Sequence, residues 1–259
     1  HLYDLVKEIT AAMGAPAPVR YGALGMFEAR ATLIEATRQT TGTAGLPFFD
    51  LGSADVVFSF GANFLETWLS PLAYSRGYGN LRQGKLGKRG YLVSFEARQS
   101  VTSGVADEWI PVIPGSEGLV AKAIGRLAAQ INGGTIPTAF ADLDLAQAVQ
   151  LSGVSEEKLH HLAELFAQAQ QPLAIPGGAA LGHVNGLASA KAILALNALK
   201  GAAPAWLAAE DDSAGSLASI VALVNRMKSG EIHTLFIHGV NPVFELPAAL
   251  GFADALKNV

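Results

Sequence analysis

The chain has 259 residues, with 18 basic and 22 acidic side chains and a formal charge of −4, which argues against nucleic acid as a general partner. It has no cysteine, so these residues form no disulfide, thiolate nucleophile, iron–sulfur cluster or cysteine-type zinc site. Half of it is hydrophobic and its mean hydropathy is +0.31, so some apolar surface is expected to meet a partner or further chain. No apolar run approaches the ~18 residues of a membrane helix. The nearest, residues 187–199, carries Lys191 and Asn197 and reads as a core helix. The chain opens on His1 and stops on Lys-Asn-Val, and is expected to be a piece of a larger polypeptide.

Residues 2–13 carry apolar side chains at helical spacing and stop at Gly14 before Pro16. Residues 18–22 read as a short strand and 22–37 as a helix. Asp55-Val-Val-Phe-Ser-Phe-Gly61 is a buried-strand pattern entering a glycine turn, with a helix pattern directly after it. Residues 67–95 hold no acid but include Arg76, Arg82, Lys85, Lys88 and Arg89, a solvated loop or a grip for phosphate or an acidic partner. Residues 91–96 and 109–113 are strands, the second leading through Pro114-Gly-Ser-Glu117 into a helix ending near Asn132. Residues 133–137 are the best linker candidate.

Beyond it, residues 143–149 and 155–170 read as helices, with Ser155 as N-cap. Residues 172–175 form a strand feeding the glycine-rich loop 176–186, and a long helix runs from there to Gly201. An acidic connection covers 202–215, and 217–227 is an amphipathic helix. The last unit is a strand at 233–238, the turn Gly239-Val-Asn241-Pro242 and a closing helix. Alternating strands and helices imply parallel sheets with right-handed crossovers. The repeated Gly-x-Asn turn, at Gly61 and Gly239, suggests two similar lobes facing a shared ligand.

An apolar strand, a glycine turn and a helix N-terminus can bind phosphate through unpaired N–H groups and the helix dipole. Gly61, Asn63 and Glu66 fit that pattern, and an acid ending the next strand, Glu96, can reach ribose hydroxyls. Arg98 offers a guanidinium for phosphate or a base edge. Equally, these residues read as an ordinary strand-to-helix turn and a solvated strand end. Neither G-x-G-x-x-G nor a P-loop is present. His183 and Asn185 lie in a glycine-rich loop, as ligand contacts or as turn and cap. The pair His160-His161 lacks a third ligand at metal spacing, so no metal site is expected. No Ser/His/Asp order or G-x-S-x-G elbow occurs. The residues support ligand binding and offer no catalytic constellation, which leaves enzyme status open.

Several of these pieces together resemble the molybdopterin oxidoreductase (dimethyl sulfoxide reductase) superfamily. They are Ala54-Asp-Val-Val-Phe-Ser-Phe-Gly-Ala-Asn63-Phe-Leu-Glu66, Gly90-Tyr-Leu-Val-Ser-Phe-Glu96-Ala-Arg98 and Ala106-Asp-Glu-Trp-Ile-Pro-Val-Ile-Pro-Gly115-Ser-Glu117-Gly. Gly177-Gly-Ala-Ala-Leu-Gly-His183-Val-Asn185-Gly186 and Ile237-His-Gly-Val-Asn241-Pro242-Val-Phe-Glu-Leu-Pro247 complete the series. Phe64-Leu-Glu66-Thr-Trp-Leu-Ser-Pro71 and Asp107-Glu-Trp-Ile-Pro are closest to the molybdoenzyme-like iron–sulfur subunit of alternative complex III, a quinol-oxidising bacterial assembly.

The resemblance implies an α/β fold of two doubly wound parallel-sheet lobes that, in true molybdoenzymes, each grip one guanine nucleotide arm of a bis-pterin cofactor. Carried over, Gly61, Asn63 and Glu66 approach one pyrophosphate, Glu96 and Arg98 its ribose and guanine, and Ser116 and Glu117 the same pocket. His183 and Asn185 face the pterin, and Gly239, Asn241 and Pro242 line the second arm. Departures are the missing cysteines and Glu96-Ala97-Arg98 where many members have Asp-Pro-Arg. Expected divisions are leading helices at 1–45 packing with the second lobe, a first lobe at 46–135 and a second at 136–259. The expected function is a scaffold lobe without its own redox centre in a membrane-bound electron-transfer complex. It would sit peripherally in a bacterial cell envelope and contact the rest of its polypeptide and other electron-transfer subunits. The alternatives are part of an active oxidoreductase binding molybdopterin guanine dinucleotide, with metal ligands elsewhere, and a freestanding nucleotide-binding module.

Overall fold

The computed structural model describes residues 2–21, 26–83, 89–201, 205–206 and 217–259, and of 26–28 and 205–206 the backbone alone. The chain begins with α1 (Leu2–Ala12), α2 (Met26–Thr41), β1 (Pro47–Phe48), β2 (Val56–Phe60), α3 (Pro71–Gln83) and β3 (Tyr91–Phe95). It continues through α4 (Val101–Gly104), β4 (Glu108–Ile110), α5 (Glu117–Ile131), α6 (Thr138–Ala141), α7 (Leu145–Ser152), α8 (Glu156–Gln168) and β5 (Pro172–Pro176). It closes with α9 (Gly186–Ala198), β6 (Ala205–Trp206), α10 (Leu217–Lys228), α11 (Pro242–Glu245) and α12 (Phe252–Ala255).

Backbone contacts group residues 32–209 in one unit and residues 1–31 with 210–259 in another. The fold is α/β, and its sheet is parallel, in the order β4-β3-β2-β5. The contacts divide the chain elsewhere than at 45/46 and 135/136. β5, assigned from sequence to a second lobe, pairs along its whole length with β2, Val56 opposite Pro172 and Phe60 opposite Pro176. β1 and β6 make a two-residue antiparallel ladder that the sequence reading missed.

Side chains alternate across a strand. Val56, Phe58, Phe60, Val93 and Phe95 face one hydrophobic core shared with α5, α8 and α9. Within it Phe60 stacks on Phe95 at 4.3 Å, and Phe58 meets Phe95 at 5.4 Å and Phe166 at 5.3 Å. Burying such a ring contributes about 1.5–3 kcal/mol. Val57, Leu92 and Ile175 are buried on the opposite face, so both faces are covered and the strands read as unbroken apolar runs.

Three polar side chains fix the sheet's edges and register. Asp55 accepts from the amides of Gln170 and Gln171 and aligns the entry of β5 with β2. Asp107 accepts from Leu92 N–H and from Arg82 at 2.6 Å, and pairs with Arg89 at 3.0 Å. Two arginines of the basic stretch are thus spent on the β3–β4 junction; Lys85 and Lys88 lie outside the described residues. On the far edge, the buried Asn197 amide accepts from Ala174 N–H and donates to Ala174 C=O, both at 2.8 Å. A side chain there takes the place of a neighbouring strand.

In the unit of residues 1–31 and 210–259, α10 and α12 pack Ile220, Val224, Met227, Phe252 and Ala255 into a small core with Leu246. The strand expected at 233–238 is not formed among the described residues, nor is one at 18–21. The helix expected directly after Gly61 is a series of turns, and α3 begins only at Pro71. The reason is local: the Asn63 carbonyl accepts from the amides of Glu66, Thr67 and Trp68 together, which coils the chain without propagating a helix.

Candidate functional site

In an open parallel sheet the crevice for ligands lies at the carboxyl ends of the strands, where the strand order turns back. Here that point is between β2 and β5, and Gly61 and Gly177 stand on its two sides. Gly61 has φ +68, and a Cβ on it would fall 2.9 Å from Gly177 O and 3.0 Å from Ala180 N. A Cβ on Gly178 would collide with Gly61 O, and one on Gly177 would come within 2.5 Å of the Trp68 indole nitrogen and 2.8 Å of Ala62. Trp68 is fixed in turn by Phe49 and Tyr74, at ring distances of 6.0 and 5.2 Å. The two glycine turns therefore touch backbone to backbone under a buried tryptophan.

The amides a phosphate would need are used inside the protein. Gly61 N–H donates to Phe95 O and Gly177 N–H to Phe60 O, while those of Phe64, Glu66, Thr67 and Trp68 go to the turn carbonyls. Asn63 does not take the left-handed conformation; the positive φ falls on Gly61 and, among non-glycine residues, on Leu69. Trp68, Gly178 and Ala180, which close this point, were not singled out from sequence. The Gly177-Gly178 pair was the available signal.

Glu66 and Glu96 are brought together at α4. Glu66 accepts from Val101 N–H at 2.9 Å. Glu96 is buried and accepts from the Ser94 and Ser100 hydroxyls at 3.0 and 3.1 Å. Burial raises the Glu96 carboxyl above the usual range; the two hydroxyls offset part of this, the Glu66 carboxylate adds to it and Arg98 opposes it. Arg98 itself is exposed. The carboxylate is thus engaged by its own loop, and the serines that hold it had not been picked out.

A second cluster forms at the start of α5. Gly115 has φ +87, and its carbonyl accepts from the Asn185 amide at 2.7 Å, with His183 beside it. Ser116 donates to Ile113 O. Glu117, at the first position of α5 where the helix dipole favours a carboxylate, is buried, and its Oε2 has no hydrogen-bond partner. Ser116, Glu117, His183 and Asn185 are therefore neighbours, as the sequence reading grouped them in part. Gly239, Asn241 and Pro242 belong to the other unit. There Asn241 caps α11 by accepting from Phe244 N–H, and its own N–H donates to Glu245.

His160 and His161 meet carboxylates. His161 lies 3.1 Å from Glu108, which also holds Lys158 and the Tyr91 hydroxyl, and His160 stands 3.9 Å from Glu156. Among the described residues there is no group of three His, Cys, Asp or Glu able to hold a metal ion.

The chain matches no description of a known protein family. It is 24% identical over 234 residues to the menaquinone reductase molybdopterin-binding-like subunit of Nitratidesulfovibrio vulgaris (strain Hildenborough), a match covering 82% of this chain and 34% of that protein. Its structure superposes on acetylene hydratase from Pelobacter acetylenicus with a TM-score of 0.56 at 16% identity, covering 78% of this chain and 28% of that one. The chain is molybdopterin-oxidoreductase-like. It spans about a third of the length of the curated relative it matches.

A molybdopterin guanine dinucleotide needs space and free N–H donors for its pyrophosphate. At the β2–β5 point of this molybdopterin-oxidoreductase-like chain the backbones meet and the donors are engaged, so Gly61, Asn63 and Glu66 do not fit that arm.

Proposed function

We propose that this chain is the scaffold part of a molybdopterin-oxidoreductase-like subunit, without a redox centre of its own. The subunit belongs to a membrane-associated electron-transfer complex working on a quinone–quinol couple. Support for the complex comes from the relative, whose name assigns it to a menaquinone reductase. Alternative complex III is the quinol-oxidising assembly that the sequence blocks favour. A peripheral position in a bacterial envelope accords with the described residues, none of whose helices is long and apolar enough to cross a membrane. Its partners on this reading are the rest of its polypeptide and further electron-transfer subunits.

The observation that carries the scaffold reading is the closed contact of Gly61 with Gly177 and Gly178 beneath Trp68. The test is oxidised-pterin fluorescence on the full-length polypeptide purified with its complex. No pterin signal from an assembly that still turns over quinol is expected; a stoichiometric signal would overturn the reading.

One observation favours a second reading, an active cofactor-binding oxidoreductase with its metal ligands elsewhere in the polypeptide. The unpartnered Glu117 Oε2, beside Gly115 and Asn185, is an acceptor suited to a nucleobase or hydroxyl donor. A rise in Tm with millimolar guanine nucleotide, abolished by Glu117→Gln, would favour it over the scaffold.

A further inference from the structure

Residues 233–238, His-Thr-Leu-Phe-Ile-His, have the composition of a strand, rich in β-branched and aromatic side chains, and are followed by a glycine turn and a capped helix. No helix, turn or bend interrupts residues 234–238. Yet none of residues 232–240 makes a backbone hydrogen bond among the described residues. In folded proteins nearly every such group is paired or hydrated, and a row of unpaired N–H and C=O groups on apolar residues is a template for another strand.

The side chains say which kind of strand. Leu235 packs against the small core of α10 and α12. Phe236 is 87% exposed and Ile237 46%. An apolar groove of roughly 450 Å³ is lined by Leu2 and Val6 of α1, by Phe236 and Ile237, and by Leu223 and Phe252. A strand at the solvent edge of a protein carries polar residues on its outer face; one that is apolar on both faces lies inside a layered sheet. The first unit contains the counterpart: β2, apolar on both faces, paired by β3 and β5 and ended by Gly61.

We infer that residues 233–238 are an interior strand whose neighbours are apolar strands supplied by chain of the same polypeptide outside residues 1–259. The choice of occupant rests on length, since the curated relative is about three times as long as the region it shares with this chain, and on the backbone, which calls for strands rather than a helix. Pairing is parallel, because the segment is followed by a turn and helix as in a β–α unit. This holds whether or not the subunit binds a pterin.

The test is amide hydrogen exchange on the full-length polypeptide in its native assembly. Amides 234–238 are expected to exchange at least ~100-fold more slowly than in free peptide, as paired strands do. Phe236→Pro, which removes an N–H that pairing requires, is expected to release its neighbours to the free rate, while Phe236→Leu keeps them protected. Amides 57–60 of β2 serve as the internal check, remaining protected in both variants. Exchange of 234–238 at the free rate in the wild-type assembly would overturn the inference. So would fast amides beneath a Phe236 side chain shielded from solvent, because that pattern means a helix or another surface covers the patch without pairing.

Discussion

Two stretches of this chain follow one local plan and meet different fates. Each is an apolar strand sequence ended by a glycine at φ near +70, Gly61 at +68 and Gly239 at +70, with an asparagine two residues on. Around Gly61 the strand is paired on both sides and the glycine is pressed between backbones. Around Gly239 nothing lies within 4 Å of where a Cβ would be, and the strand has no partner among the described residues. The turn is a local property and recurs wherever its residues recur. Pairing and closure are long-range, and depend on what the rest of the chain brings alongside.

The difference is sharpest at a strand edge. Asn197 completes β5 by bonding both polar groups of Ala174, a service that no side chain renders to residues 233–238 among those described. Asn197→Ala leaves two buried backbone groups unpaired, and at about 2 kcal/mol each should lower stability by about 4 kcal/mol. Urea denaturation measures it. A loss below about 1 kcal/mol would mean water replaces the amide and the edge needs no clamp.

The two glycines make the next pair. Gly61→Ala has the left-handed penalty and a clash with the backbone of Gly177 and Ala180, together about 3 kcal/mol, whereas Gly239→Ala has the conformational penalty alone, about 1 kcal/mol. Equal losses would show that the β2–β5 contact is loose, which would reopen the case for a nucleotide there. The asparagines come after the glycines. Asn241→Ala removes a helix cap and should lower stability by about 1 kcal/mol. Asn63→Ala should change it by less than about 0.5 kcal/mol, because Asn63 works through its carbonyl, which alanine retains.

That asymmetry also marks what the sequence could convey. Strands 56–60, 91–95 and 172–176, the Ser155 cap and the need for glycine at 61 follow from short-range pattern, and the structure has them. The pairing of β5 with β2 does not, since it joins residues more than a hundred positions apart. The helix expected after Gly61 failed because one carbonyl collects three amides, which no periodicity reports. Asn197 was visible as an amide in an apolar helix, but its target strand was not. Within the site, the grouping of Gly115, Ser116, His183 and Asn185 was legible in part. The filling of the crevice by Trp68 was hidden, because a tryptophan at a turn looks the same whether it packs inward or greets a ligand.

The last contrast is between the acids beside the two turns. Glu245 is half-exposed next to Asn241, whereas Glu96 is buried, and its carboxyl is raised chiefly by that burial. A carboxyl whose folded pKa lies above its unfolded one holds its proton more tightly in the native state. Its contribution to stability is therefore full at low pH and declines as pH rises from the ordinary carboxylate range through the raised value. Glu96→Gln keeps an oxygen to accept from Ser94 and Ser100 but does not titrate. Wild-type stability relative to the variant should then fall between about pH 4 and pH 7, read as urea midpoints across that range. Parallel curves would show that Glu96 reaches solvent or a cation in the folded protein. In that case the carboxylate beside β3 is open to a ligand, and the closure argued for Gly61 does not extend along the sheet to it.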